Sequence, residues 1–475
     1  MNTLTHTRPW RGAADCGWIG LLLLATIAPA IAAGTGPADP FHGDPMTTPD
    51  ASGWLRTYTA DGTIDTGNPF FQSLGTNGRS CGSCHQQQDG WTVTPAAVRA
   101  RFNATGGTDP IFRTNDGSNS PFADVSTLAK RRLAYSMLLN RGVIRVGIGI
   151  PAGAEFTLDA VDDPYGYASA AELSLFRRPL PSTNLGFLTG VMWDGRETTA
   201  PFLPPMDAGM DSADLAASLR HQAIDATVGH AQGTAPNDAQ LAQIVDFEMG
   251  LTTAQIRDDR AGLLNDDDAL GGPRILANLR FHIGINDTLG ADPTGAAFNP
   301  EAMALFSAWD DGHGEHAHDR NAVARGEVLF NTKPISITGV GGLNDALGQA
   351  VIPGTCTTCH STPNIGNHSV ALPLNLGLAD AARRTPDMPL YTLRNNVTGA
   401  TVQTTDPGKA LLSGKWADIG KFKGPVLRGV AARAPYFHNG FAASLEDVVN
   451  FYDTRFTIGL TAQEKRDLVA FMRAL

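Results

Sequence analysis

Four of the five cysteines stand in two copies of one pattern, C-x-x-C-H, at residues 81–85 and 356–360. Two thiols three positions apart can each add to one vinyl group of a haem. The histidine that follows them is then held where its imidazole meets the iron. The sequence therefore predicts two covalently bound haems c. The predicted attachment and iron-binding residues are Cys81, Cys84, His85, Cys356, Cys359 and His360.

Three other uses of these cysteines are weaker interpretations. A thioredoxin-like redox pair needs a βαβ setting, and the sequence shows none around either motif. A zinc site can use two C-x-x-C pairs, but these lie about 270 residues apart and each is followed by a histidine. Disulfides between neighbouring cysteines form in oxidising compartments. Haem attachment is the interpretation that accounts for all four cysteines and both histidines.

The chain begins with the features of a secretory signal peptide. Arg8 and Arg11 form a basic start, residues 19–27 an apolar stretch, and residues 30–32 (Ala-Ile-Ala) a cleavage site. The apolar stretch is too short to span a bilayer, which takes about 20 residues. We predict that residues 1–32 are a signal peptide and that the mature protein is periplasmic, with no membrane span. The alternative is an uncleaved anchor.

Composition narrows the class of partner. The formal net charge of −11 argues against nucleic acid, because phosphate binding needs a basic surface. A hydrophobic content of 42% supports a sizeable core, and 52 glycines with 30 prolines predict many loops.

The elements that must position the motifs are predicted to be helices. Apolar residues at helical spacing favour helices between about residues 125 and 150 and over residues 238–256. Capping boxes that begin at Ser444 and Thr461 predict two C-terminal helices. Strand signals are sparse. We therefore predict a mainly α fold with two cytochrome c-like helical haem domains and long loops.

A polar stretch at residues 311–319 is the predicted boundary between these domains. It contains three histidines, which can bind a metal, but a solvated linker is the favoured interpretation. The N-terminal haem domain would then span residues 35–310, with insertions, and the C-terminal one residues 320–475. The second domain is expected to open with a helix from Arg325.

Four further motifs resemble the bacterial di-haem cytochrome c peroxidases and the related MauG enzymes. The motifs are Trp193-Asp-Gly-Arg196, Gln222-Ala223, Phe422-Lys-Gly-Pro-Val-Leu-Arg428 and Pro435-Tyr-Phe-His-Asn-Gly440. The resemblance covers most of the mature chain, although the region from about 140 to 320 is longer than the family's core. It implies a peroxidatic haem held by His85 and an electron-transfer haem held by His360.

The resemblance also implies roles for two aromatic residues. Trp193 would relay electrons between the haems, with a buried core tryptophan as the alternative. Tyr452 would ligate the second iron, with a packed core tyrosine as the alternative and Met388 or His368 as lesser candidates for the ligand.

Two positions depart from the family's pattern. No histidine lies between His85 and His221 to cap the first iron, so we expect an open iron unless Met206 or Met210 fills the place. The family's distal glutamate is replaced by Gln232, which does not exchange protons usefully. We therefore predict His230 as the distal acid/base, helped by Gln222; the alternative is a surface or structural histidine.

The family binds a calcium ion between its haems. The matching positions are the side chain of Asn119 and the backbone carbonyls of Arg433 and Pro435, oxygen ligands that suit calcium. An ordinary asparagine turn is the alternative interpretation of Asn119.

These observations predict an oxidoreductase: a periplasmic di-haem peroxidase that reduces hydrogen peroxide, with electrons passing from the C-terminal to the N-terminal haem. The donor would be a small periplasmic cytochrome c or copper protein. The alternatives are MauG-like oxidation of a protein or organic substrate, and a di-haem electron carrier without peroxidase activity.

Overall fold

The computed structural model describes residues 41, 43–199, 212–290, 292–366 and 373–475. Contacts along the chain separate Met1–His42 from Gly43–Leu475, and every element below belongs to the second unit. Four sequence predictions lie outside the described residues: the signal peptide at 1–32, Met206, Met210 and His368.

Ten α-helices lie in the described residues, joined by many short 3₁₀ turns. They are α1 (Pro95–Thr105), α2 (Leu128–Ala134), α3 (Ser136–Arg141), α4 (Ser212–Gly229), α5 (Asp238–Gly250), α6 (Pro273–Leu276), α7 (Ala317–Thr332), α8 (Ala410–Ser413), α9 (Leu445–Phe456) and α10 (Ala462–Arg473).

Eleven short strands form four antiparallel sheets. The strands are β1 (Thr47–Pro49), β2 (Gly53–Tyr58), β3 (Ile144–Ile148), β4 (Phe156–Asp162), β5 (Leu173–Arg177), β6 (Thr252–Asp258), β7 (Gly262–Leu263), β8 (Ile335–Thr338), β9 (Val351–Gly354), β10 (Leu390–Asn395) and β11 (Thr401–Thr404). The sheet orders are β1-β2-β6-β7, β11-β10-β4, β3-β5 and β8-β9.

The two C-terminal helices begin where their capping boxes predicted. The Thr461 hydroxyl accepts a hydrogen bond from the backbone N–H of Glu464 at 3.2 Å, and the Glu464 carboxylate accepts from the N–H of Thr461 at 2.7 Å. Ser444 and Asp447 cap α9 in the same way. These bonds satisfy N–H groups that have no partner inside the helix.

Other predicted helices have different bounds. The pattern near residues 125–150 is divided between α2, α3 and the strand β3. The pattern over 238–256 is helical only as far as Gly250, because the chain then pairs with β2 as strand β6. The helix predicted from Arg325 begins earlier, at Ala317, so the end of the predicted linker is helical.

The prediction of a mainly α fold is not confirmed, since helix accounts for 31% and strand for 16% of the structure. The strands are short, and some pair with strands far away in the sequence, as β4 does with β10. No local alternation of apolar and polar residues therefore indicated them. The division into two haem domains stays a prediction.

The largest apolar cluster packs α7, α9 and α10 around Phe330 and Phe471. Gly326 on α7 makes the close approach to α10 possible, because a Cβ there would lie 2.0 Å from the carbonyl oxygen of Asp467. This cluster supports the second haem motif, since Cys356 packs against it.

Candidate active site

The first haem motif forms one 3₁₀ turn, Cys81–Ser83, which a capping box at Ser80 begins. The backbone N–H of His85 donates to the carbonyl of Cys81 at 3.0 Å, so the turn places the histidine beside both thiols. Its Nδ1 donates to the carbonyl of Trp91 at 3.0 Å, which leaves Nε2 for an iron. Burial lowers the pKa of His85 to about 4, so the imidazole is neutral, the form that ligates metal.

A cavity of about 160 Å³ opens beside this turn. The structure brings the predicted distal residues, Gln222 and His230, to its wall, although each is more than a hundred positions from the motif. Both come from α4 or the residue that follows it. The cavity is also lined by Cys81, Cys84, His85, Arg79, Asp116, Met192, Glu248 and Lys423.

His230 is held at the cavity by a hydrogen bond to a buried carboxylate. Its Nδ1 donates to the carboxylate of Asp116, which also accepts from the guanidinium of Arg79. Burial by itself would raise the pKa of Asp116, but the hydrogen bonds and charges of His230 and Arg79 outweigh it and lower that pKa. With Nδ1 bonded in this way, Nε2 is the ring nitrogen left to exchange a proton in the cavity.

Gln232 is turned to other contacts. It has a left-handed backbone (φ 55°), its carbonyl accepts from the Thr76 hydroxyl at 2.9 Å, and it is absent from the described lining of the cavity. The placement agrees with the choice of His230 over Gln232, while the role of His230 stays a prediction.

Sequence reasoning missed four titratable groups in the cavity wall. Nothing in the sequence indicated a role for Arg79 or Asp116, apart from the position of Arg79 close to the motif. Lys423 lies in the motif that begins at Phe422, but no role was assigned to this lysine from the sequence. The fourth, Glu248, is a polar residue on the buried face of α5. Burial raises the pKa of Glu248 to about 8 and lowers that of Lys423 to about 7.

The second motif repeats the local geometry of the first. Cys356–Thr358 forms a 3₁₀ turn capped by Thr355, and the N–H of His360 donates to the carbonyl of Cys356 at 3.1 Å. Burial lowers the pKa of His360 to about 4. None of the four motif cysteines forms a disulfide, and burial raises the pKa of each thiol.

Tyr452 lies on α9 close to the second motif. Burial raises the pKa of its hydroxyl, and the charges of Cys359 and Cys356 raise it further, which shows that the phenol is near both thiols. No hydrogen bond to this hydroxyl occurs among the described residues. Met388 lies elsewhere, in a cluster with Met137 and Phe176, so it is not placed as a ligand of this haem.

Orphaned buried cations test whether these surroundings fit haem. Lys423, at the first cavity, has no ion pair or hydrogen bond to its ammonium within the described ranges. Arg428 is fully buried, and all three of its guanidinium nitrogens are without a partner there. Arg428 adjoins Leu427, whose N–H donates to Ile365 near the second motif at 3.1 Å. Buried charges need counter-charges, and haem propionates would supply them, so the residues fit two haems.

Trp193 is anchored on both sides. Its Nε1 donates to the carbonyl of Arg178 at 2.8 Å, and its own carbonyl accepts from the N–H of Lys423 at 2.8 Å. Its ring centre lies 6.2 Å from that of His438, which stacks on Phe422 at 4.0 Å. Trp193 is partly buried, and its role as an electron relay stays a prediction.

The predicted calcium residues make contacts of another kind. The Asn119 side chain accepts from the N–H of Met137 at 3.2 Å and donates to the Ser136 hydroxyl at 2.8 Å. The carbonyl of Arg433 accepts from the guanidinium of Arg178 at 3.1 Å. Both oxygens already accept hydrogen bonds from protein donors, one of them a buried guanidinium, so these two residues do not fit calcium. Pro435, the third predicted position, stays a prediction.

Within the described segments, the helices are too short or too polar to cross a membrane.

No protein-family profile matches the chain. Curated relatives match about a quarter of it: cytochrome-c peroxidase IdrP2 of Denitromonas iodatirespirans is 33% identical over 133 residues, which is 26% of this chain and 36% of the relative. Cytochrome-c peroxidase IdrP1 of Pseudomonas sp. (strain SCT) is 33% identical over 150 residues, 27% of this chain and 38% of the relative. The matched part thus spans less than two fifths of these relatives.

Two solved structures align loosely over most of the chain. A MauG-like protein associated with microbial copper homeostasis aligns at a TM-score of 0.34 and 16% identity, covering 86% of this chain and 87% of its own. A variant of the diheme peroxidase BthA from Burkholderia thailandensis aligns at 0.30 and 16%, covering 86% and 83%.

Proposed function

We propose that the chain belongs to the superfamily of di-haem cytochrome c peroxidases and MauG enzymes, because its motifs resemble that superfamily and about a quarter of its sequence is similar to cytochrome-c peroxidases. On that premise we propose that it is a periplasmic di-haem peroxidase that reduces hydrogen peroxide. Electrons would enter from a small cytochrome c or copper protein, reach the haem of His360 and pass to the haem of His85. The observation that carries this proposal is the cavity in which Cys81, Cys84 and His85 face Gln222 and His230.

The bound haem irons would supply the redox chemistry, in which each peroxide takes up two electrons and two protons and yields two waters. The protein must therefore hold peroxide in a dry site and move a proton from one peroxide oxygen to the other. His230 Nε2 is available for that transfer because Asp116 occupies Nδ1. The Gln222 amide can orient the peroxide from the same helix.

Trp193 supports the proposed electron path by position. Its carbonyl is bonded to the N–H of Lys423, whose side chain lines the first cavity, and its ring faces His438 in the C-terminal motif. Tyr452, near the thiols of the second motif, is the proposed ligand of the second iron.

One contact favours each alternative function. Tyr452 beside the second motif favours MauG-like oxidation of a protein or organic substrate, because an anionic ligand stabilises higher oxidation states. Met192 lines the first cavity, and a thioether ligand there would close the first iron and leave an electron carrier.

Electron paramagnetic resonance of the oxidised protein, before and after one equivalent of peroxide, tests the proposal. A high-spin signal that peroxide removes is expected. Two low-spin signals that ignore peroxide, in both the oxidised and the half-reduced protein, would establish a carrier. Steady turnover with reduced cytochrome c then separates a peroxidase from an enzyme that oxidises other substrates.

A further inference from the structure

Three backbone carbonyls from two distant segments converge on one buried guanidinium. Arg178 Nη1 donates to the carbonyls of Arg141 at 3.2 Å and Gly142 at 3.1 Å, and Nη2 donates to that of Arg433 at 3.1 Å. Arg178 is only 5% exposed. The first two carbonyls close the end of α3, and the third ends the 3₁₀ turn Val430–Arg433. The guanidinium therefore ties these segments together.

The backbone around this guanidinium is shaped to receive it. Gly142 ends α3 in a left-handed conformation (φ 61°), and a Cβ built on it would lie 2.0 Å from Arg178 Nη1. Any larger residue at position 142 would displace the guanidinium as well as strain the backbone. A glycine here is needed for both reasons.

The positive charges around Arg178 oppose the binding of a metal ion there. Burial lowers the pKa of Arg178 to about 10, and the carboxylate of Asp89 opposes that shift, so the guanidinium is charged at neutral pH. Arg433 is a second buried guanidinium close enough to interact with it, and its Nε donates to the Gly429 carbonyl at 2.9 Å. A divalent ion would add two positive charges beside these two guanidinium groups, which already repel each other.

The asparagine at the family's calcium position also makes other hydrogen bonds. Asn119 is buried at the junction of α2 and α3, where its Nδ2 donates to the Leu133 carbonyl as well as to Ser136. Its Oδ1 accepts the N–H of Met137. The Asn119 side chain therefore links the end of α2 to the start of α3 through its own hydrogen bonds.

We propose that the Arg178 guanidinium is the permanent structural cation of this protein, in the place that its relatives' pattern gives to calcium. The carbonyl of Arg433, one of the predicted calcium ligands, already binds it. The protein then folds and keeps its haem surroundings without calcium. Arg178 also fixes Trp193 through its carbonyl and the His438 carbonyl through its N–H at 2.6 Å, so the tie includes the proposed electron path.

Metal analysis of the purified holoprotein is the first test. We expect less than a tenth of an equivalent of calcium after dialysis, with melting temperature and visible spectrum unchanged by either EGTA or millimolar calcium. One bound calcium per chain, with a lower melting temperature or an altered haem spectrum in EGTA, would overturn the proposal. None of these measurements depends on peroxidase activity. Failure of this proposal is therefore distinguishable from failure of the proposed function.

Removing the guanidinium is the second test. Arg178→Ala leaves the three carbonyls open, so we expect a melting temperature several degrees lower, and one that now rises with added calcium. Arg178→Lys keeps a cation, so its melting temperature should fall less and should not change when calcium is added. An Arg178→Ala protein that ignores calcium would contradict the assignment of a cation site. If that variant does not fold, the metal content of the natural protein still decides.

Arg99→Ala is the matched control. Arg99 also donates to a carbonyl of α3, that of Leu139 at 2.9 Å, but it does not reach Arg433. Its removal should lower stability without creating any response to calcium. A calcium response in both variants would show a general effect of lost arginines and would overturn the proposal.

Discussion

The two haem motifs share their local geometry and differ in what surrounds them. Each forms a 3₁₀ turn, and in each the histidine N–H donates to the carbonyl of the first cysteine, at 3.0 Å and 3.1 Å. A phenylalanine ring centre lies 6.2 Å from each histidine ring, Phe70 at His85 and Phe330 at His360.

Apart from this shared geometry, the first motif shares a cavity with titratable side chains, namely His230, Asp116 and Glu248. The second lies near Tyr452, which is surrounded by the rings of Phe437, Phe451 and Phe456. The cysteine–histidine motif therefore sets the local geometry at each site, and side chains from distant segments make the surroundings of the two sites different.

The largest effect should come from removing the proton carrier at the first haem. We expect His230→Ala to lower peroxide turnover by about 100- to 10,000-fold, the usual contribution of general acid–base catalysis. Stopped-flow absorbance of the peroxide reaction measures it. His221→Ala is the matched control, because His221 lies on α4, the helix that ends just before His230, but bonds to Glu197 at 2.6 Å and is outside the described lining of the cavity. Equal rates in the two variants would remove His230 from the mechanism.

A smaller loss is expected when His230 is kept and its support is changed. Asp116→Asn should lower turnover by about 10- to 100-fold, because the tautomer of the imidazole is no longer fixed by a carboxylate. Asp116→Glu should recover part of the rate. The spectrum of the His360 haem should not change in either variant; a change there would mean that the substitution disturbs the whole fold.

At the second haem, the comparison predicts a spectral effect. Tyr452→Phe should change the low-spin resonance and raise the reduction potential of the His360 haem, while the first haem keeps its signal. Redox titration followed by visible and paramagnetic resonance spectra measures both. Tyr391→Phe, at a buried tyrosine that bonds to Ser174, serves as control. A second haem that is unaffected by Tyr452→Phe leaves Tyr452 as a packing residue.

The smallest effect concerns stability at the first cavity. Burial raises the folded-state pKa of Glu248 to about 8, above its ordinary 4.5. A raised pKa contributes stability that is complete below the ordinary value and is lost as pH rises towards 8. Glu248→Gln should therefore flatten the fall in the free energy of unfolding between pH 5 and pH 8, by a few kcal/mol at most. Denaturant titrations at several pH values measure the slope. The exposed Asp246→Asn, on the same helix, should leave it unchanged.

What the sequence alone determined about this protein is local. The spacing of thiols and histidine defines the haem motifs, because three or four residues suffice to form each turn. The capping boxes at Ser444 and Thr461 placed two helix starts correctly, since a capping side chain bonds to an N–H only three residues away. The motif around Gln222 and the nearby His230 also pointed to residues that the structure brings to the first cavity.

The tertiary structure decided the rest, because the contacts concerned join residues far apart in the chain. Asp116 meets His230 across 114 positions, and Arg178 meets the Arg433 carbonyl across 255. No sequence pattern in either segment indicates which residue it will contact. The strands escaped prediction for the same reason, since a short strand is stabilised by the neighbour with which it pairs. The carbonyl of Arg433, a predicted calcium ligand, accepts a hydrogen bond from Arg178, a residue outside the family's motifs, and nothing in the sequence indicated that contact.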